Sequence, residues 1–243
     1  MDLSLIITTH DREYLINQQI SALKLKNIDC EIIVVDDSQQ QTVSSLVPCE
    51  KFKYLWAPKA KGPAESRNLG VRLAHGRRII FLDDDDFINP DWIIFNKKIS
   101  TDPDIVFSNY TINQSNKILH IDTSSVTPET QLIKNKMPIG SFSVPIDIAK
   151  KIEFNTELAS HEDWDYLLKA QKLTNIRHIK EKISCQINPS PTGRNSTTKI
   201  ENHLTDYIKI YQIHKTLNKN LIDQRLMLLK TKFKKIVHSS HIS

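Results

Sequence analysis

Residues 77–91 read Arg-Arg-Ile-Ile-Phe-Leu-Asp-Asp-Asp-Asp-Phe-Ile-Asn-Pro-Asp. The apolar run Ile79 to Leu82 is short and unbroken, the pattern of a strand buried on both faces of a parallel sheet. It runs straight into four carboxylates, Asp83 to Asp86. Adjacent negative charges beside an apolar strand repel one another and are costly unless a cation neutralises them. Oxygen-only sets of this kind suit hard divalent ions such as Mg²⁺ or Mn²⁺. The cluster falls at the carboxyl end of its strand, where open α/β sheets hold their ligands. A solvated acidic turn is the competing reading of any charge run, but such turns seldom begin flush against a buried strand.

Working outward, the N-terminal segment repeats the pattern. Leu3 to Ile7 reads as a buried strand ending in Thr8-Thr9-His10-Asp11-Arg12, with Asp11 placed to cap a helix carrying Leu15, Ile16, Ile20 and Leu23. Glu31 to Val35 is a second strand, ending in Asp36-Asp37-Ser38. Strand, helix, strand argues for a parallel sheet. Phe52 to Trp56 reads as a third strand, and Ala64 to His75 as a helix closed by Gly76 as C-cap. Beyond the acid cluster the pattern predicts a helix over Pro90 to Ile99 and strands over Ile105 to Tyr110 and Ile118 to Ile121. A new segment begins at Gly140, with helices over Ile146 to Lys151 and Trp164 to Leu173. Asn188 to Thr198 is a loop rich in Asn, Pro, Ser and Gly. Helices are predicted over Leu204 to Tyr211 and Leu221 to Val237.

The bulk composition narrows the class. A chain of 243 residues with 39% hydrophobic and 25% charged residues reads as folded, neither fibrous nor disordered. Its net charge of +5 is unevenly placed: Lys215 to Lys235 holds seven Lys or Arg against Asp223 alone. Cys30, Cys49 and Cys185 are widely spaced, without metal-binding spacing, and read as thiols in a reducing compartment. No leader pattern precedes the first strand, and no apolar run approaches the roughly 18 residues that span a bilayer. The expectation is a cytoplasmic protein, at most peripheral at the inner face of the cell membrane.

Five separated motifs together resemble one family. Ile6 to Arg12 resembles the first-strand motif of family 2 glycosyltransferases of the GT-A type, and Val34 to Ser38 the second-strand motif. Glu65-Ser66-Arg67-Asn68-Leu69-Gly70 is similar to the A-R-N-x-G segment, Phe81 to Asp86 to the metal-binding D-x-D segment, and Ser160 to Asp165 to the late E-D motif. The resemblance spans residues 1 to about 170. It implies an α/β fold of Rossmann-like GT-A type, with a mostly parallel central sheet flanked by helices. Residues 1–200 are then the glycosyltransferase domain, divided into a nucleotide-sugar half (1–110) and an acceptor half (111–200). Residues 201–243 are a basic C-terminal helical extension.

The resemblance also implies roles. Asp37 would accept a hydrogen bond from the base, a uracil N3–H, with Thr8 beside it. Arg67 would lie near the diphosphate, where a guanidinium fork suits phosphate oxygens. Asp83 would approach the ribose or donor sugar and the metal, Asp85 would ligate Mn²⁺ or Mg²⁺, and either Asp84 or Asp86 would assist. Asp163 would be the general base for the acceptor hydroxyl, with Glu162 in reserve, although the pair also fits an acidic first turn of a helix. His178 or His203 is a candidate further metal ligand, although a surface or core histidine is the simpler reading of each. Arg194, in the Asn188–Thr198 loop, could close over the diphosphate. The implied partners are a nucleotide-sugar donor and a glycan or lipid-linked glycan acceptor.

The basic tail fits two readings, a solvated helix face or a contact with anionic membrane, since Phe233, Ile236 and Val237 interleave with Lys230, Lys232, Lys234 and Lys235. No nucleic-acid motif accompanies the charge. Two other classes stay open at this point: a non-catalytic nucleotide-sugar or glycan-binding subunit, and a nucleotidyltransferase.

Overall fold

The computed structural model describes residues 1–25, 29–41, 52–115, 117–189 and 199–239. Cys49 and Arg194 lie outside them, as do the side chains of Lys235, Ile236 and Val237. The chain opens with β1 (Leu3–Thr9), α1 (Glu13–Leu25), β2 (Glu31–Asp36), β3 (Phe52–Trp56), α2 (Pro63–Leu73) and β4 (Arg78–Asp83). All seven residues of β1 and all six of β2 are buried, as continuous apolar runs covered on both faces must be.

Neighbouring residues on these strands serve opposite cores. Leu5, Ile7, Ile80 and Leu82 pack under α1 and a helix over Pro90–Lys98 (α3), through Ile16, Ile20, Trp92 and Ile93. Ile6, Ile33, Ile79 and Phe81 face the other way, toward Ala64 and Val71 of α2 and Tyr166 and Leu167 of a later helix.

The strand order is β3-β2-β1-β4 in this half, every pair parallel. From β1 the chain moves outward to β2 and β3, then returns to place β4 on the other side of β1. That reversal is the topological switch point at which open α/β sheets leave a crevice beyond their carboxyl ends. Thr8 pairs with Asp83, and Thr9 with Asp36, at the edge of it.

The second half is mixed. Its elements are β5 (Phe87–Ile88), α3, β6 (Ile105–Gln114), β7 (Lys117–Ile121), α4 (Pro128–Gln131), β8 (Phe142–Pro145), α5 (Ile146–Ala149), α6 (Glu162–Ala170) and β9 (Ile176–Ile187). The sheet continues β4-β8-β6-β9-β5, with β6·β9 parallel and the other pairs antiparallel, and β7 pairs with β6 off this path.

Two glycines set close approaches. A Cβ at Gly70 would stand 2.4 Å from Ile6 Cγ2, so only glycine lets α2 lie this near β1. Gly76 is not the predicted C-cap: α2 ends at Leu73, and Ala74 follows in extended conformation. A Cβ at Gly76 would fall 2.4 Å from the backbone of Leu3 and Ser4, so it is glycine for packing against β1. Asp11 does not stand directly before α1; it occupies the left-handed region (φ 51°), and its N–H donates to Ser38 Oγ at 2.7 Å.

The last two helices, α7 (Ile200–Ile213) and α8 (Lys219–Ser239), pack onto α6. Tyr207 and Ile210 join Leu158, Trp164 and Leu168 in a third core cluster, flanked by Leu228 and Leu229. Trp164 is fully buried there, its indole N–H donating to Gln131 O at 2.6 Å. Among the described residues, no helix is long and apolar enough to cross a membrane.

Candidate active site

The switch point opens into a cleft of about 870 Å³. Thr8, Asp37, Arg67, Asp83 to Asp86, Glu162 and Asp163 all line it, so residues 155 positions apart along the chain meet in one place. His10, Arg12, Pro138, Ile139, His161 and Asn188 are among its other lining residues.

At the β1–β2 end, Asp37 is buried and its amide bonds Thr9 O at 3.2 Å. Asp37 Oδ1 lies 2.8 Å from His10 Nδ1, and Oδ2 accepts from Ser66 Oγ at 3.3 Å. Burial pulls the imidazole of His10 down, but the carboxylate of Asp37 outweighs this and raises its pKa.

The A-R-N-x-G segment resolves into separate duties. Arg67 is almost wholly buried, and its guanidinium reaches Glu162 Oε1 at 2.7 Å and Asp83 Oδ1 at 2.6 Å. A charge so buried persists only when paired. These two acids keep Arg67 ionised against the cost of its burial. Through these two contacts the guanidinium ties α6 to the end of β4. Asn68 holds Phe154 by both backbone groups, at 3.0 and 2.8 Å, which fixes the approach to α6.

The acid run divides as well. Ligand atoms of Asp83, Asp85 and Asp86 lie within 4.8 Å of one another. Asp86 is 5% exposed and accepts from the backbone N–H of Asn188 at 2.9 Å. Burial, then the charge of Asp83, pushes its pKa well up. Three hard oxygen donors, one of them buried and short of positive charge, fit a divalent ion. Asp84 stands outside this group; it accepts from Thr9 Oγ1 at 2.7 Å and from Arg12 at 2.8 Å. Burial raises its pKa to about 6.

On another wall of the cleft, α6 starts from His161, whose φ of 62° is left-handed. Glu162 is 3% exposed and locked to Arg67. Asp163 is only part-buried, with Oδ1 accepting the Trp164 N–H at 2.7 Å and Oδ2 accepting from Asn135 Nδ2 at 2.8 Å. Burial and then Glu162 raise its pKa to about 7, partly offset by Arg67. Behind it, α7 braces the loop: Ser160 N–H donates to Asp206 Oδ2 at 2.7 Å, and Ser160 Oγ lies 2.9 Å from His203 Nδ1.

His178 is not among the residues lining the cleft. Its ring stacks on Phe107 at 5.1 Å, and Nε2 sits 3.1 Å from both Asn109 Oδ1 and Thr123 Oγ1. Nε2 is thus engaged with these two side chains, away from the acid cluster. His203 is likewise held by Ser160 and by His161 Nε2 at 3.2 Å. Sequence reasoning missed Arg12, Asn135 and Asn188. Arg12 lay inside a quoted motif without a role, whereas the two asparagines carry no local signal.

The family described as Glycosyl transferase family 2 matches residues 4–146. An uncharacterized glycosyltransferase of Haemophilus influenzae is 27% identical over 195 residues, 74% of each chain. A UDP-Glc:alpha-D-GlcNAc-diphosphoundecaprenol beta-1,3-glucosyltransferase of Escherichia coli is 28% identical over 196 residues, 75% of this chain and 74% of that one. An uncharacterized glycosyltransferase of Rickettsia conorii is 34% identical over 122 residues, 47% of this chain but 20% of its own length. Among solved structures, TarS 1-349 of S. aureus in complex with UDP-GlcNAc superposes with a TM-score of 0.70 at 20% identity, covering 96% of this chain and 72% of that one. At that identity the likeness is one of fold.

Proposed function

The chain belongs to glycosyl transferase family 2, and from that premise we propose an inverting, metal-dependent glycosyltransferase that uses a UDP-linked sugar. The acceptor is a hydroxyl of a glycan or lipid-linked glycan. The fold, GT-A with C-terminal helices, is consistent with this. The observation that carries the reading is the shared cleft: Asp37, the acid cluster and Asp163 all line it. Support for the donor and acceptor classes comes from the relatives, one named for a UDP-Glc donor and a diphosphoundecaprenol-linked acceptor, and from the UDP-GlcNAc bound to TarS.

Asp83, Asp85 and Asp86 would hold Mn²⁺ or Mg²⁺, which supplies a positive centre for the charge on the departing nucleoside diphosphate. Asp37 accepts from the base, exchanging or sharing the contact it now makes with His10. Asp163 removes the proton from the acceptor hydroxyl as that oxygen attacks the anomeric carbon. Its raised pKa suits a base working near neutral pH, and a positioned base of this kind contributes typically a hundredfold or more. Asn135 and the Trp164 amide fix the carboxylate, and Arg67 removes Glu162 from competition. A single displacement needs no covalent nucleophile.

A contact with anionic membrane belongs to the same reading, because a lipid-linked acceptor is presented there. On α8, Ile222, Leu226 and Phe233 are 37%, 49% and 58% exposed, with Lys219, Lys230 and Lys234 on the same helix. Apolar side chains among lysines suit an anionic interface at the cytoplasmic face.

The experiment is incubation with UDP-sugars, Mn²⁺ and a lipid-diphosphate-linked GlcNAc acceptor, following UDP release and product mass. Transfer with UDP release supports the reading. Binding without turnover would favour a non-catalytic subunit, and pyrophosphate release in a parallel incubation with UTP and a sugar 1-phosphate would favour a nucleotidyltransferase.

A further inference from the structure

The acid cluster is flanked by two guanidiniums with different tasks. Arg67 takes the Asp83 end and shares itself with Glu162. Arg12 takes the other end, and a single nitrogen, NH1, reaches both Asp84 Oδ1 at 2.8 Å and Asp85 Oδ2 at 3.1 Å. Asp84 is 4% exposed and outside the ligand group, yet it is firmly held, since Thr9 Oγ1 donates to its second oxygen. Arg12 itself is set by the turn before α1: the preceding residue is left-handed and tied to Ser38, and the Arg12 carbonyl accepts the Ile16 N–H. Thr9, Asp84, Arg12 and Asp85 thus form one run of side-chain contacts beside the switch point.

A carboxylate that offers one oxygen to a metal while the other accepts a hydrogen bond is fixed in orientation, and such outer partners tune metal affinity. Asp85 combines both features: Oδ2 accepts from Arg12, and its carboxylate belongs to the group of three that could hold an ion. We propose that Arg12, seated on Asp84, is a positioning residue that orients Asp85 for the divalent ion. The extra carboxylate in the run is explained at the same time: Asp84 anchors the guanidinium. This inference rests on the reading that the ion binds at Asp83, Asp85 and Asp86, and the experiment separates the two.

The test is calorimetric titration with Mn²⁺ alone, without donor, on the full chain. The wild type is expected to bind one ion and Asp85→Ala none. Arg12→Ala is expected to bind about 10- to 100-fold more weakly. Arg12→Lys keeps the charge, but its shorter side chain does not carry a nitrogen to the point where NH1 meets both carboxylates, and it is expected to be weakened too. Should Arg12→Ala unfold, Asp84→Asn is the second variant: it keeps the side chain's shape, unseats Arg12 and is expected to lose affinity in the same direction. Thermal unfolding in chelator verifies that each variant is folded. Unchanged or tighter Mn²⁺ binding in folded Arg12→Ala, or full recovery in Arg12→Lys, overturns the positioning role and leaves the metal reading intact. A wild-type chain that binds no Mn²⁺ overturns both.

Discussion

Replacing Asp163 by Asn separates a catalytic base from a helix cap, because the two roles predict opposite changes in stability. Burial raises the folded-state pKa of Asp163 from 3.8 to about 7, so the native state holds this proton more tightly than the unfolded chain. Ionising the group therefore costs stability, and that cost develops as pH rises from about 4 to about 7. Three units correspond to a ceiling of roughly 4 kcal/mol at pH 8. The substitution removes the charge but turns an amide group toward either Asn135 or the Trp164 N–H, losing a hydrogen bond worth about 1 kcal/mol. Partial solvation and coupling to Glu162 lower the ceiling further. The expected net gain is about 1–2 kcal/mol at pH 8, turning into a loss of about 1 kcal/mol near pH 4, where only the missing hydrogen bond remains. Transfer should fall by about 10²- to 10⁴-fold, with UDP binding retained. Thermal melts across pH 4–8 and a UDP-release assay measure both quantities. A variant that is less stable at pH 8 and still transfers sugar would refute the reasoning and leave Asp163 as a cap.

Three other substitutions follow from the packing. Arg67→Met leaves Glu162 buried without its cation and Asp83 unpaired, and should cost about 3–5 kcal/mol in denaturant unfolding. Gly70→Ala drives a Cβ against Ile6 Cγ2; overpacking of this size costs about 1–3 kcal/mol, read as a lowered melting temperature. Asp206→Ala strips the Ser160 amide and hydroxyl of their acceptor, costing about 1–3 kcal/mol. If α7 braces the base loop, that variant should also lose transfer rate more than it loses UDP affinity.

The first half of the fold was legible because β1, β2 and β4 carry short apolar runs that are buried and end in polar or acidic residues. β9 was invisible for the opposite reason. Ile176 sits in one alternation phase and Ile179, Ile183, Cys185 and Ile187 in the other, and register shifts at Ser108–Asn109 and Asn109–Thr111 of its partner interrupt the pairing. β5 has two residues and takes its identity from pairing with β9. In the site, the carboxylates announced themselves by position after strands. The commitment of Arg67 to Glu162, 95 residues away, could not be read from its neighbours. Nor could Asn135 under Asp163, since a single asparagine in a loop has no periodicity to betray a contact 28 residues on.

The central claim is that Asp83, Asp85 and Asp86 close on one divalent ion in the cleft that also holds Asp37 and Asp163. Anomalous diffraction from crystals grown with Mn²⁺ and UDP tests it most directly. The expected result is a single strong manganese peak bonded to Asp85 and at least one of its two partners, with the uracil toward Asp37. A well-ordered UDP in the cleft with no manganese peak at these carboxylates, or with the peak elsewhere, would contradict it.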